Sequence, residues 1–357
     1  MTVFMRSPAL LALLSAALFG LATPFAKLLL GGMQAWLLAG LLYLGAGLGL
    51  GLITLLRRAG RQAPRETPLA RADLPWLVAA IISGGIIAPV LLMSGLNMTT
   101  ASSGSLLLNL EAIATVGIAA LIFREHVGWR LLLGAALIIA GAMALSWQGG
   151  FFVLDGGAVL ITGACVAWGI DNNLTRRISG ADPVQITMLR GLIAGAVNVS
   201  IGLTGGAVLP EPALLAGTLV TGFFGYGISL VLFVMSLQRL GTARTGAYFS
   251  TAPFIGALAA IPLLSDPVTP QFLIAGLLMG IGVWLSLTEN HLHAHDHDVL
   301  EHSHRHSHDE HHQHAHPGEA PSDTPHTHAH KHEPLTHTHP HWPDLHHRHG
   351  HKADETS

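Results

Sequence analysis

The sequence predicts an all-α polytopic membrane protein: ten transmembrane helices, arranged as two inverted five-helix repeats, followed by a disordered, histidine-rich cytoplasmic tail. Three observations predict this fold. The chain is 50% hydrophobic and only 11% charged, so lipid rather than water must surround most of it. A motif of the first half recurs 142 residues later. Nearly all of the histidines follow residue 290.

The predicted spans come from the apolar stretches, because a helix needs about 20 apolar residues to cross the hydrocarbon core. Short connections separate them, marked by helix breakers such as Pro210-Glu211-Pro212. The first stretch is too long for the apolar core of a signal peptide, and it has a repeat partner at 157–175, so we assign it to the fold. The predicted spans are 8–30, 34–56, 74–96, 101–123, 128–147, 157–175, 183–205, 213–237, 245–264 and 271–288.

The repeat is best defined in residues 93–123, of which seven match residues 235–265. The helices before it repeat in a second register, in which Gly20 and Lys27 fall on Gly169 and Arg176. Repeats of this length, built of apolar helices, indicate a duplicated membrane bundle. The predicted units are 1–147, 148–290 and the tail, 291–357. The seven identical pairs are Met93/Met235, Ser94/Ser236, Thr100/Thr242, Ala101/Ala243, Gly104/Gly246, Ile113/Ile255 and Leu121/Leu263.

Basic residues predict the orientation. The odd-numbered loops carry Lys27 alone, and arginines concentrate in the even-numbered loops, which the positive-inside rule places in the cytoplasm together with both termini. Five helices per half invert the second half, so Lys27 and Arg176 are expected on opposite sides of the inner (plasma) membrane. The arginines of the even-numbered loops are Arg57, Arg58, Arg61, Arg65, Arg71, Arg124, Arg130, Arg176, Arg177, Arg239 and Arg244.

Each half carries a Thr-Ala-x-x-Gly pattern and then an apolar run to a charged turn, at Arg124-Glu125 and at Ser265-Asp266. This pattern resembles the EamA repeat. The resemblance covers residues 8–288 and implies a ten-helix permease of the drug/metabolite transporter superfamily, commonly an exporter of metabolites or amino acids. The sequence departs from the family pattern at one point. The family has proline near the middle of the fourth and ninth helices; Pro253 keeps it, and Glu111 takes its place in the first half.

Glu111 lies halfway along a predicted span, where a carboxylate costs several kcal/mol unless it faces a wet cavity, has a partner or is protonated. We interpret it as a cation site or as the carrier of a coupling proton. The alternative is a protonated side chain that is hydrogen-bonded inside the bundle. Thr115 lies on the same helix face, whereas Asn109 faces roughly away.

Asp171, which is followed by Asn172, and Arg190 lie at equal depth in the sixth and seventh spans and are expected to face each other. Intramembrane charges mark both transport pathways and structural pairs. The sequence therefore leaves two interpretations open, a switchable ion pair or anion or proton site, and a salt bridge that only fixes helix packing. The repeat equivalents of the pair are Ala22 and Leu41.

The tail differs from the body in composition. It carries 23 of the 24 histidines and 11 acidic against 4 basic residues, without apolar periodicity, so we expect disorder. Imidazoles in His-x-His spacing suit Zn, Ni or Co, and no other cofactor is required. A solvated leash is the alternative. The candidate metal ligands are His291, His293, His295, His297, His302, His304, His306, His308, His311, His312, His314, His316, His326, His328, His330 and His332.

These observations favour a secondary transporter rather than an enzyme, because motifs for ATP hydrolysis and for intramembrane hydrolases are absent. The first hypothesis is an exporter of divalent metal ions whose tail gathers metal. The second is a metabolite or amino-acid exporter with a metal-sensing tail. The third is a membrane-anchored metal buffer without transport. The expected partners are the lipid bilayer and a small solute or metal cation, without nucleic acid; a homodimer is left open.

Overall fold

The computed structural model describes residues 7–60, 68–123, 129–147 and 155–288, together with four segments of the tail. The membrane body consists of helices only. The helices are α1 Pro8–Leu30, α2 Ala35–Ala59, α3 Leu74–Ala80, α4 Ala88–Met98, α5 Ala101–Leu107, α6 Leu110–Phe123, α7 Trp129–Ser146, α8 Gly156–Ile178, α9 Pro183–Thr204, α10 Pro212–Gly222, α11 Ser229–Phe249, α12 Ala252–Leu264 and α13 Pro270–Leu287.

Several of these helices join into longer spans. A 3-10 turn, Arg71–Asp73, leads into α3, and a π-helical segment, Ile81–Ile87, joins α3 to α4. A second π-helical segment, Phe223–Ile228, joins α10 to α11. Within the described residues, seven helices are long and apolar enough to cross a membrane, while α12 and α13 are shorter. The chain is therefore a polytopic membrane protein, and the count of ten spans stays a prediction.

The irregular backbone occurs at repeat-equivalent places. A shift of 142 residues lays the first π-helical segment on 223–229, and it lays the break between α5 and α6, at residues 108 and 109, on 250 and 251. One predicted boundary is wrong. A loop was expected between 237 and 245, but α11 continues to Phe249. The chain breaks just before Pro253 instead, because proline has no N–H for the ladder and fits the first turn of α12.

Equivalent helices of the two halves run antiparallel. On the face between α2 and α9, a Cβ added at Gly40 would lie 2.5 Å from the Val199 nitrogen, and one at Gly47 would lie 2.5 Å from the Leu192 nitrogen. Partner numbers therefore fall along α9 as they rise along α2. The helices α7 and α13 behave alike, with Gly134 beside Gly282. Inverted repeats require that equivalent helices run in opposite directions, as they do here.

Helix contacts in the two halves are also equivalent: where a helix of the first half packs on the second half, its equivalent in the second half packs on the first. Helix α1 packs on α11 and α12, and its equivalent α8 packs on α4 and α6. Gly20 of α1 lies against Gly256, and its equivalent Gly169 lies against Ala114, which is 142 residues before Gly256. Glycine at these crossings lets the backbones approach closely, which strengthens van der Waals packing where no hydrophobic force acts between helices.

The predicted loops collect at two ends of the bundle. At one end, the Arg177 guanidinium lies 4.6 Å from the ring centre of Trp76, and the Leu69 nitrogen donates to Gln185 Oε1 at 2.9 Å. At the other end, the Ser102 nitrogen donates to Asp266 Oδ2 at 2.8 Å. Lys27 belongs to the last turn of α1 rather than to a loop.

The tail contains four short strands in the described residues. Strand β1, Leu292–Asp296, pairs antiparallel with β4, Thr336–Pro340, and β2, Leu300–His306, pairs antiparallel with β3, His326–His332. The expected disorder of the tail is not confirmed in these segments, where His-x-His alternation has the two-residue period of a strand. The register sets His302, His304 and His306 opposite His330, His328 and His326. The candidate ligands outside the described residues are His291, His297, His308, His311, His312, His314 and His316.

We expect Gly47→Val to destabilise the bundle by about 2 kcal/mol or more, because its side chain meets the α9 backbone and overpacks the contact. Gly51→Val is the matched control on the same helix, since the nearest atom to an added Cβ is Met188 Sδ at 3.9 Å. Thermal unfolding of the purified full-length protein measures the difference. Equal midpoints for the two variants would contradict the α2–α9 contact.

Candidate substrate and ion site

Glu111 lies in the first turn of α6, directly after the break in the fourth predicted span. Its nitrogen donates to the Leu108 carbonyl at 3.0 Å, a bond that spans three residues rather than four. The N-terminal turn of a helix carries partial positive charge, which stabilises a carboxylate. The break therefore offers Glu111 a favourable position that an unbroken helix would lack.

The Glu111 side chain is held from the other half of the chain. Asn172 Nδ2, on α8, donates to Glu111 Oε1 at 2.9 Å and lies 3.1 Å from Thr115 Oγ1. Thr115 Oγ1 in turn donates to the Glu111 carbonyl at 2.8 Å. The prediction that Thr115 shares the face of Glu111 is confirmed, and Asn172 joins the two. Asn173 adds a bond from its Nδ2 to the Thr115 carbonyl at 3.0 Å.

Asn109 contributes elsewhere, as the helix geometry predicts. Its Nδ2 donates to the Leu106 carbonyl at 2.8 Å and lies 3.8 Å from Met279 Sδ of α13. The Leu106 carbonyl also accepts from the Asn109 backbone nitrogen at 3.0 Å, so the amide adds a second donor at the helix break. Asn109 is thus a structural residue of the break and not a neighbour of the Glu111 carboxylate.

Asp171 and Arg190 form the predicted ion pair between α8 and α9, through Oδ2 and Nη2. Both side chains are buried, with 4% and 3% of their surface exposed. Thr175 Oγ1 donates to Asp171 Oδ1 at 2.9 Å, and Arg190 Nη1 donates to Thr175 Oγ1 at 3.1 Å. Buried charges persist only when they are paired and hydrogen-bonded. The contact is confirmed, and its role in transport stays a prediction.

The first π-helical segment forms the wall beside this pair. Gly84 lies against the Asp171 carboxylate, where a Cβ would not fit. Its carbonyl accepts hydrogen bonds from Tyr43 Oη at 2.7 Å and from Trp168 Nε1 at 3.1 Å. A π-helical turn in an α-helix is frequent at functional sites because it widens the backbone and frees carbonyls.

Sequence reasoning missed several residues of this site. Tyr43, Trp168 and Thr175 come from three different turns of two helices, and no spacing in the sequence joins them. The adjacent glycines at 84 and 85 are a signal that was available, because two glycines within a span favour an irregular backbone. The acceptors at 84 and 85 are then served by side chains, since Asn198 Nδ2 donates to the Gly85 carbonyl at 3.2 Å.

The membrane body offers no metal centre among the residues whose side chains the structure describes. No group of three or more His, Cys, Asp or Glu side chains lies close enough there to hold an ion. Glu111 and Asp171 are accompanied by amides, hydroxyls and a guanidinium instead. This chemistry suits a polar organic group or a proton rather than a soft divalent metal.

Comparison with family models decides the class of the protein. The model of the EamA-like transporter family matches residues 6–147 and again residues 155–288. The chain belongs to the EamA-like transporter family. The two matched segments coincide with the two halves of the membrane body, so the family domain occurs twice in this chain.

Relatives agree with this assignment. An uncharacterised transporter of Methanothermobacter thermautotrophicus is 29% identical over 281 residues, which cover 75% of this chain and 82% of that protein. A probable terminal-alkyne amino-acid exporter of Streptantibioticus cattleyicolor is 27% identical over 222 residues, 61% of this chain and 74% of that protein. A solved crystal structure matches with a TM-score of 0.59 at 20% identity, covering 79% of this chain and 96% of that one, which supports the fold alone.

Membership of the EamA-like family makes this chain a multi-pass membrane transporter for a small solute. That class agrees with the polar site between apolar helices and with the prediction that the chain is not an enzyme. The metal cargo of the first hypothesis has no support in the matched family or in the described side chains. The roles of Glu111, Asn172, Asp171 and Arg190 stay predictions.

We expect Gly84→Ala to separate Asp171 from Arg190, because the new methyl group occupies the space of the carboxylate. Overpacking costs about 1–3 kcal/mol, and an opened buried pair costs more. Thermal unfolding of the full-length protein should show a lower midpoint, with Gly51→Ala as the control in a roomy position. An unchanged midpoint for Gly84→Ala would show that the π-helical segment does not pack on Asp171.

Proposed function

We propose that this EamA-like protein is a secondary transporter that exports a small organic solute carrying an amino group, an amino acid or a similar metabolite. The hydrogen bond from Asn172 of the second half to Glu111 of the first half carries the proposal. This bond supports a carboxylate on the boundary between two inverted halves, where a site can face each side of the membrane in turn.

The charges of the site support a cationic ligand. Glu111, Asp171 and Arg190 together carry one uncompensated negative charge when all three are ionised. An isolated charge inside a bilayer costs several kcal/mol. A proton or the ammonium group of a solute supplies the missing positive charge, so the two compete for Glu111. Export of the solute would then be coupled to entry of a proton.

The orientation rests on the arginines. The end of the bundle with Arg177 beside Trp76 carries the even-numbered loops, which the positive-inside rule places in the cytoplasm. The proposal keeps the ten predicted spans, with both termini in the cytoplasm and the body in the inner membrane. Asp266 and Lys27 then lie at the outer face.

The relatives favour an organic cargo. The Streptantibioticus relative is named as a probable amino-acid exporter, and the described side chains of the body offer no cluster for a metal. The export of Ni, Co or Zn is therefore the second candidate, favoured by the histidine content of the tail alone. Unchanged tolerance of metal salts on deletion of the gene would exclude it.

The tail is proposed to bind Zn, Ni or Co as a sensor. The register of β2 and β3 sets histidine opposite histidine at alternate positions. Metal binding would fall as pH drops through about 6.5, the ordinary pKa of histidine, because only neutral imidazole ligates.

We expect Glu111→Gln to abolish proton-coupled export, because the amide neither carries a proton nor attracts an ammonium group. The measurement is solute flux in proteoliposomes with and without a proton gradient. Glu211→Gln, which changes a carboxylate at the exposed start of α10, is the matched control and should keep wild-type flux. Full coupled flux in Glu111→Gln would remove Glu111 from the mechanism.

Truncation after Glu289 should leave an inserted and folded transporter with an altered response to metal. The helices of the body end at Leu287, so the cut removes no contact between them. Membrane insertion and flux with and without added Zn²⁺ test the prediction. Failure of the truncated chain to insert would mean that the tail is part of the fold, and an unchanged zinc response would mean that the tail is not a sensor.

A further inference from the structure

Arg190 is incompletely satisfied in its buried position. Its Nη2 contacts Asp171 Oδ2 and its Nη1 donates to Thr175 Oγ1. Its Nε is buried and has no hydrogen-bond partner among the residues that the structure describes. A guanidinium presents five N–H donors in a planar fork that matches both oxygens of a carboxylate. Asp171 and Thr175 engage the two terminal nitrogens, and the Nε–H remains as the donor without an acceptor among the described residues.

The fold itself does not require this ion pair, as the other half of the molecule shows. Ala22 and Leu41 occupy the equivalent positions on α1 and α2, and both are buried. Gly225 of the second π-helical segment lies against Ala22, much as Gly84 of the first lies against Asp171. One half thus carries two buried apolar residues, in separate hydrophobic clusters, at the positions where the other half carries a charged pair.

Replacing a buried ion pair by apolar residues of suitable volume is often neutral or stabilising. Packing alone therefore does not explain why the second half has a charged pair where the first half has two apolar residues. The pair also lies close to the proposed cation site, because the charges of the Asp171 and Glu111 carboxylates interact. An anion-binding group and a cation-binding group thus lie on neighbouring positions between the halves.

We propose that Arg190 binds the carboxylate of the exported solute, which takes the place of Asp171 on the guanidinium. The solute brings one carboxylate and one ammonium group, so its binding leaves the net charge of the site unchanged. Asp171, still held by Thr175, then faces the ammonium group of the same solute together with Glu111. This inference rests on the proposed export of an organic solute and adds the group that selects for a carboxylate.

The decisive variant is the double substitution Asp171→Ala with Arg190→Leu, which copies the residues of the first half. We expect it to insert and to unfold at about the wild-type temperature, because the first half packs with the same residues. The second variant, Arg190→Lys, keeps the charge and the pairing with Asp171 but lacks the fork.

The experiment uses full-length protein in proteoliposomes. The probes are a panel of labelled neutral L-amino acids and the matching primary amines, which lack the carboxylate. For the amino acids, both variants should raise KM by about tenfold or more, the value of one charge-assisted hydrogen bond. For the amines, the KM of Arg190→Lys should stay near wild type, since Asp171 and Glu111 both remain. The amino acids should also raise the unfolding temperature of the wild-type protein but not of the double variant.

A double variant that keeps the wild-type KM for amino acids and their thermal stabilisation would overturn the inference and leave a packing role for the pair. A double variant that no longer folds would also count against it, and Arg190→Lys would then decide between binding and packing. If the wild-type protein moved neither amino acids nor amines, and neither stabilised it, the proposed function itself would fall. The two failures are therefore distinguishable.

Discussion

The close antiparallel contact of α2 and α9 is the constraint on which the rest of the structure depends. A Cβ added at Gly191 would lie 2.5 Å from the Gly47 nitrogen and 2.7 Å from the Tyr43 carbonyl, so only hydrogen fits between these backbones. Van der Waals contact of this kind is what holds helices together in lipid. It also places Arg190, the residue before Gly191, against α8 and brings Tyr43 to the first π-helical segment. The crossing of α2 and α9 therefore holds the bundle together and also positions the polar residues of the candidate site.

A second constraint is that every backbone polar group inside the bilayer needs a partner. The interrupted helices would leave carbonyls unpaired, and side chains supply the missing donors. Asn109 serves the Leu106 carbonyl, while Tyr43 and Trp168 serve Gly84. Because the breaks and π-helical segments recur in both halves, irregular backbone belongs to the repeated scaffold. The first half places a carboxylate at its break, and the second half places proline there.

The site is therefore asymmetric within a symmetric frame. Glu111 comes from one half, and Asn172, Asp171 and Arg190 come from the other. Because the two halves are inverted copies, each contact between helices has an equivalent contact with the halves interchanged. The side chains of the two halves differ, so most of the charged residues of the site come from the second half. In the proposed mechanism, the symmetric frame permits two opposed states and the unequal site selects the solute.

The sequence by itself determined the class of the protein, the duplication and the intramembrane charges, because apolar length, repeat identity and isolated charge are local properties. It also predicted the contact of Asp171 with Arg190, since equal depth in neighbouring spans suffices for that. Only the tertiary structure decided that Asn172 reaches Glu111, that Gly84 packs on Asp171, and that α11 runs on to Phe249. Those features depend on how helices far apart in the chain cross, and on where π-helical segments and helix breaks interrupt the α-helical backbone. No single-chain periodicity encodes a distance between two helices, so these contacts appear only when the whole bundle is packed.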